Sequence, residues 1–343
     1  LLMKKILLIF LLLPLLNNCS QHTAMVGPVI NLAYTGSITQ ASTSLSSSLA
    51  MNKLNQKYKD EYFKIIPFTQ VLAGRGCPYP CTYCFNDGYK KIHMEAGMRG
   101  KEYTNFRSVD HVIDELQMLS EKYNARDFFF NDSTLTYNKE WILEFCEKLQ
   151  ENNISLEWSL PSGTRSEALD LDVLKALSKA NLKYLVYAPE SGSAESLILI
   201  KKKIKLSVME QSVKYAISQG ISVRTNLIIG FPNEKRLDLY KTLYLQIKFA
   251  VMGVEDVPTY YFNAYPGTEL FDMLVKDGKI IVNDEYFLSL ASLSHYNLFP
   301  TNISYNKYIG RYELYVYRMA GMILSYTLSY ILRPKRILRT IKS

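Results

Sequence analysis

The stretch GRGCPYPCTYCF (74–85) decides the reading, because it sets Cys77, Cys81 and Cys84 at C-x-x-x-C-x-x-C spacing directly after the β-rich run FTQVLAG (68–74). Three thiolates on one short loop can ligate three irons of a cubane cluster and leave the fourth iron open to a small molecule. The competing reading is a structural zinc site completed by His93. Structural zinc usually takes paired C-x-x-C knuckles separated by a longer loop, and the sequence has no second pair. The remaining cysteines, Cys19 and Cys146, stand alone, so five in total make a poor disulfide framework. A tight trio instead points to metal binding in a reducing compartment.

Outward from this loop the chain alternates β-rich runs with helical patterns. The expected strands are FTQVLAG (68–74), DFFFND (127–132), SLEWSL (155–160), LKYLVYA (182–188), ISVRTNLIIG (221–230) and DVPTYYFNAY (256–265). Between them, VDHVIDELQMLSEKY, KEWILEFCEKLQ, LDVLKALSKA, SVMEQSVKYAISQG and LDLYKTLYLQIKFAVMG carry apolar residues at helical spacing. Asp170 and Gly220 read as a helix cap and a helix stop. The pattern predicts an α/β fold, a partial (β/α)6 TIM-like barrel whose chemistry sits at the carboxyl ends of the strands. The expected divisions are a leader and linker (1–58), the barrel (59–280), and a C-terminal extension with an apolar helix and basic tail (281–343).

On the cysteine loop and the segments behind it, the chain resembles the radical S-adenosylmethionine (SAM) superfamily, in a subgroup related to the cobalamin-dependent enzymes. The resemblance runs through FRSVDHVIDEL, FFFNDSTLTYN, LEWSLPSGTRSEALD, YAPESGS (187–193), NLIIGFPNE (226–234) and YPGTEL (265–270). It implies a 4Fe-4S cluster on Cys77, Cys81 and Cys84, with SAM chelated by the open iron. It also implies SAM contacts from Tyr83 and Phe85 beside the cysteines and from Asn131 and Asp132 at the second strand end. Glu190 and Ser191 are expected at the ribose, and Asn226 and Gly230 near the methionine and adenine parts. Two departures stand out: Asn131-Asp132 occupies a position where a double acid is commoner, and Asn233 replaces a frequent glycine. Taken singly, Asp132 and Glu190 suit a capping role as well as a ligand role.

Cobalamin-dependent relatives carry a further amino-terminal domain with a histidine in its cobalamin loop. Here residues 1–58 contain one histidine, His22, in no such context, so cobalamin is not expected in this chain. The substrate implied by the resemblance is a lipid, tetrapyrrole or other small molecule, modified by radical chemistry or methyl transfer, with an external electron donor. No catalytic side chain is assigned. The alternatives are an iron-sulfur electron-transfer protein without SAM chemistry, or a chimeric fragment of a larger cobalamin-dependent enzyme.

The ends of the chain read differently. Lys4 and Lys5 precede ILLIFLLLPLL (6–16) and then Cys19, the layout of a lipoprotein leader, although Asn18 stands where such leaders carry a small residue. Export conflicts with a cluster assembled in the cytosol, so the expected location is cytoplasmic with membrane association. Two leucines before Met3 leave a fusion or gene-model artefact open. Of the formal net charge of +8, residues 305–343 supply +7, eight Lys or Arg against Glu313. The rest is near neutral, and no nucleic-acid face is expected. The run LYVYRMAGMILSYTLSYIL (314–332) followed by RPKRILRTIKS suits a helix at a membrane surface, or one packed on the barrel. His22, His93, His111 and His295 show no pairing at ligand spacing, Cys146 reads as a core residue, and Trp158 as packing or cavity wall.

Overall fold

Runs of apolar residues bounded by Gly, Asn and Pro fold into parallel strands, and parallel strands need helical crossovers between them. The computed structural model describes residues 68–97, 103–291 and 303–337. Cys19, His22, His295, the leader and linker, and the last residues of the basic tail lie outside the described residues. From the N-terminal side, β1 (Phe68–Val71) leads to a short antiparallel pair, β2 (Gly74–Arg75) with β3 (Asn105–Phe106), separated by α1 (Phe85–Glu95). Then come α2 (Val109–Tyr123), β4 (Asp127–Phe130), α3 (Lys139–Glu151), β5 (Glu157–Thr164), α4 (Leu171–Lys179) and β6 (Leu182–Glu190). They are followed by α5 (Ala194–Leu199), α6 (Leu206–Ser218), β7 (Ser222–Ile229), α7 (Arg236–Met252) and β8 (Thr259–Tyr261). Three helices close the described chain: α8 (Glu269–Lys276), α9 (Asp284–Ala291) and α10 (Arg311–Leu332).

The main sheet has six strands in the order β1-β4-β5-β6-β7-β8, every neighbour parallel, which is the expected six-unit partial barrel. The third strand is longer than the sequence pattern predicts and reaches Thr164, because a register shift between Leu160 and Thr164 lets PSGT continue the ladder. The sixth contracts to Thr259–Tyr261, with only an isolated bridge from Asp256 to Arg224 before it. The antiparallel β2–β3 pair and the short helices α1, α5, α8 and α9 have no counterpart in the periodicity. A two-residue ladder and helices of 6 to 11 residues offer few positions in which a period can show.

Burial alternates along β7. Val223, Thr225, Leu227 and Ile229 are covered, while Ser222, Arg224, Asn226 and Ile228 face the half-open side. The densest packing is aromatic. Trp158 stacks on Phe128 at 5.9 Å with the rings 2° from parallel, and meets Phe130 and Phe145 edge-on. Its indole N–H donates to the Ala180 carbonyl at 2.6 Å, so Trp158 is a packing residue and not a cavity wall. Cys146 is buried in α3, and burial pushes its thiol up to about 12. Helix starts follow local capping chemistry: Ser108, Asn138, Asp170, Ser193 and Thr268 each accept an amide from the first turn. Gly220, at φ +75°, follows the last turn of α6 as expected. No helix among the described residues is long and apolar enough to cross a membrane.

Candidate active site at the strand ends

The cysteine loop lies beyond the carboxyl end of β1 and is clamped from both sides by backbone. Thr82 N donates to Ile200 O at 3.1 Å, and Leu270 N donates to Thr82 O at 3.0 Å. Cys77 and Cys81 are buried, and Cys84, the N-cap residue of α1, is half-buried. Polar groups reach two of the sulfurs: Thr134 Oγ1 is 3.4 Å from Cys77 Sγ, and Asn86 Nδ2 donates to Cys84 Sγ at 3.6 Å. Burial pushes the Cys81 thiol up to about 11 and raises that of Cys84, while the Lys202 charge pulls both back. His93 lies apart from this polar shell, its ring against Tyr103 and its Nδ1 3.3 Å from the Tyr89 carbonyl. Among the described residues no three His, Cys, Asp or Glu side chains are gathered as a single metal ion requires. A cubane needs one thiolate on each of three irons, and a loop of three thiols supplies that donor set.

Asp132, just past the end of β4, is buried, and its carboxylate accepts the amides of Ala73 at 3.1 Å and Gly74 at 2.5 Å. The side chain expected at the cofactor is therefore spent on fixing the turn that launches the cysteine loop. Asn131 is exposed, with its Nδ2 3.4 Å from Gln70 Oε1. Phe85, the first residue of α1, is also exposed and packs edge-on against Tyr89 at 5.7 Å.

Glu190 ends β6 beyond a register shift, in the left-handed region at φ +66°. A bulge of this kind re-aims the side chain that follows it. The Tyr83 hydroxyl donates to Glu190 Oε1 at 2.7 Å, and Lys202 Nζ donates to the same oxygen at 2.9 Å. Burial, then the Glu190 charge, pushes the Tyr83 hydroxyl well above its usual range. The Tyr83 ring meets Phe231 edge-on at 5.7 Å, and Phe231 continues to Phe262, forming an apolar wall across the ends of β7 and β8. Thus one strand end, the cysteine loop and the segment after α5 meet in one bonded group.

Ser191 faces elsewhere. Its hydroxyl is 2.9 Å from Thr242 Oγ1 on α7 and accepts the Ser193 amide. A Cβ on the neighbouring Gly192 would stand 2.3 Å from the Lys241 carbonyl, so only glycine permits this approach of loop to helix. Asn226 lies in mid-strand on β7 and accepts Arg224 Nε at 3.0 Å. Gly230 turns the chain out of β7 at φ +88°, with its N–H on Glu234 Oε2 at 2.6 Å and Leu314 of α10 against its Cα.

Two residues of this region were not singled out from the sequence. Lys202 stands in the run IKKKIK, where charge alone reads as solvated, yet it is buried on Glu190. Arg165 follows β5 and is also buried. Its guanidinium donates to the carbonyls of Lys202 at 3.2 Å and Lys203 at 2.7 Å, and lies 3.6 Å over the ring of Tyr79 in the cysteine loop. Its Nε is buried without a partner in the described structure, an orphaned donor beside the loop. The signal available in the sequence was an arginine immediately beyond a strand end, in GTRSEALD.

The family profile described as "Radical SAM superfamily" matches residues 71–244, half of the chain. An uncharacterized methyltransferase of Pyrococcus horikoshii is 27% identical over 217 residues, covering 63% of this chain and 44% of the relative. The hopanoid C-3 methylase of Methylococcus capsulatus is 24% identical over 218 residues, 62% of this chain and 38% of the relative. The chain thus spans less than half the length of these curated relatives. Among solved structures, the radical SAM methyltransferase TsrM of Kitasatospora setae, with cobalamin and a [4Fe-4S] cluster bound, superposes with a TM-score of 0.51 at 15% identity. That superposition covers 61% of this chain and 39% of that one. With the six-strand parallel sheet and the C-x-x-x-C-x-x-C loop at its strand ends, the profile match places this chain in the radical SAM superfamily, enzymes that use a 4Fe-4S cluster and SAM.

Proposed function

We propose that Cys77, Cys81 and Cys84 carry the cluster and that the group around Tyr83, Glu190, Lys202 and Arg165 receives SAM. The observation that supports this most strongly is the bonded junction of Tyr83, next to Cys84, with Glu190 at the end of β6. The donor set fits the cofactors: three thiols on one loop, a carboxylate that accepts sugar hydroxyls, and an orphaned guanidinium N–H for a carboxylate. Bound together, cluster and SAM supply one-electron reductive cleavage of SAM, chemistry beyond the reach of side chains. The chain's own residues bind and orient. The buried thiols release their protons when iron binds. Asn86 places a polar hydrogen at the Cys84 sulfur, and the Thr134 hydroxyl lies 3.4 Å from the Cys77 sulfur; polar contacts of this kind tune a cluster's potential. Tyr83, Phe231 and Phe262 keep water from the strand ends. Asp132 holds the loop's entry in register.

The acceptor in this reading is a small, lipid-like molecule. The two named relatives are a methyltransferase and a methylase by name, which supports methyl transfer as one outcome of the radical chemistry. An external donor supplies the electron. The molecule works in the cytoplasm and touches a lipid surface through its C-terminal segment, supported by the five Lys and Arg of RPKRILRTIKS. The test is anaerobic SAM cleavage by cluster-loaded protein with a reductant, read as 5′-deoxyadenosine, and as S-adenosylhomocysteine when cobalamin is added. A cluster-loaded protein that yields neither product is an electron carrier or binding module, and the reading falls.

A further inference from the structure

The last described helix is inside out. α10 turns Leu314, Arg318, Gly321, Ser325 and Ser329 inward, a mostly small or polar stripe at helical spacing. The Arg318 Nε donates to the Thr259 carbonyl at the start of β8 at 2.7 Å, and its guanidinium stands over the Tyr261 ring at 5.1 Å. Gly321 meets Gln246 of α7 so closely that a Cβ there would come within 2.4 Å of Oε1. At the far end, Arg333 donates to the Ala250 and Val251 carbonyls at the end of α7 at 3.0 and 2.8 Å.

The outer face is the reverse. Tyr312, Val316, Ile323 and Ile331 are each 60% or more exposed, with Ala320 and Thr327 on the same face. Between Glu313 and Arg333 the sole charge is Arg318, and it is buried. The apolar face continues onto α7, where Leu237 and Tyr244 are 65% and 67% exposed, and the Tyr240 and Tyr317 hydroxyls, 3.0 Å apart, join the two helices. A helix that buries its arginine and exposes its isoleucines leaves a contiguous apolar patch, which on a protein surface marks an interaction site.

We infer that this outer face of α10 and α7 is a lipid-binding surface that lies in the headgroup region of an anionic bilayer. This deepens the lipid contact proposed above and rests on it: the apolar face, and not the basic tail alone, makes the contact. Two features select lipid as the occupant. Directly after the stripe, residues 333–343 carry five Lys or Arg and no acid; Arg333 is held on the α7 carbonyls and Arg336 is buried against Ser329, and Lys335, Arg339 and Lys342 supply the charge complementary to anionic headgroups. The face is also edged with tyrosines, whose rings settle at headgroup depth while aliphatic side chains go deeper. A helix of 22 residues, about 33 Å long at 1.5 Å per residue, then lies in the plane of the interface.

The experiment uses full-length, cluster-loaded protein and vesicles of equal parts phosphatidylcholine and phosphatidylglycerol, with pure phosphatidylcholine as reference. Wild type sediments with the mixed vesicles, less with phosphatidylcholine, and less again as salt rises. Val316→Glu/Ile323→Glu alters only exposed positions, so it keeps the wild-type melting temperature and SAM cleavage in vesicle-free buffer, yet loses vesicle partitioning by about tenfold or more. Lys335→Gln/Arg339→Gln/Lys342→Gln loses the salt dependence and retains the phosphatidylcholine component. Retained binding by the glutamate variant overturns the inference and leaves the tail as the only contact. A wild-type protein that ignores vesicles overturns it as well. In that case light scattering tells whether a second copy covers the face, as a dimer that the glutamate variant splits. SAM cleavage without vesicle binding sinks this inference alone, whereas vesicle binding without SAM cleavage sinks the proposed activity alone.

Discussion

Lys202 Nζ lies 2.9 Å from Glu190 Oε1, and both side chains are more than 90% buried. Burial alone lowers a lysine, but here the Glu190 charge raises it, so the ammonium is kept charged by its partner. Removing one member of a buried pair leaves an unpaired charge in a poorly solvated place. Lys202→Met is therefore expected to cost about 3 to 5 kcal/mol of stability, and Lys202→Met/Glu190→Gln to recover much of it. Urea unfolding of the apoprotein under reducing conditions checks both. Equal loss in the single and double variants contradicts the pairing.

Asp132 and Asn131 are adjacent and differ sharply in what they hold. Asp132→Ala strands two amides at the entry to the cysteine loop and is expected to cost about 1 to 3 kcal/mol, with faster loss of iron to a chelator. Asn131→Ala, at an exposed position with one long hydrogen bond, is expected to stay within about 0.5 kcal/mol. Thermal unfolding and chelator kinetics on the two variants test the contrast.

The four described cysteines divide into two chemical groups. Replacing Cys77, Cys81 and Cys84 together with Ala is expected to abolish the brown iron-sulfur absorbance after anaerobic reconstitution, and Cys146→Ala to leave it intact. Iron and sulfide analysis reads the outcome. Stoichiometric zinc in a colourless wild-type protein contradicts the assignment.

Glu234 gives a pH dependence to stability. Burial pushes its carboxyl up to about 8 from 4.5, against the lowering effect of the Gly230 amide, and its Oε1 is buried without a partner in the described structure. The folded protein therefore keeps a proton that the unfolded chain has released across that interval. Its contribution is fully present below about pH 4.5 and declines as pH rises toward about 8, with a slope of at most roughly 1.4 kcal/mol per pH unit. Glu234→Gln is expected to flatten this part of the curve. Melting temperatures of both proteins across the window decide it.

Trp158 fills the center of the aromatic core, and Trp158→Ala is expected to cost about 3 to 5 kcal/mol. Calorimetry of the apoprotein measures this directly.

Periodicity and spacing along the chain determined the alternation of strand and helix, the six-strand count, the cysteine loop after the first strand, and caps such as Asp170. Those features depend on neighbours in sequence, where a period of two or three and a half residues is visible. Tertiary structure alone decided which polar residues turn toward the site. Asp132 was spent on two backbone amides and Ser191 on Thr242, while Lys202, one charge in a run of four lysines between residues 201 and 205, was drawn inside by a carboxylate twelve residues earlier. It also decided that α10 packs by its arginine and serines and leaves its isoleucines outside. A helical wheel shows which residues share a face, but the partner elements decide which face is buried. For α10 the partners are the Thr259 carbonyl, which takes the Arg318 N–H, and Gln246, which leaves room only for Gly321.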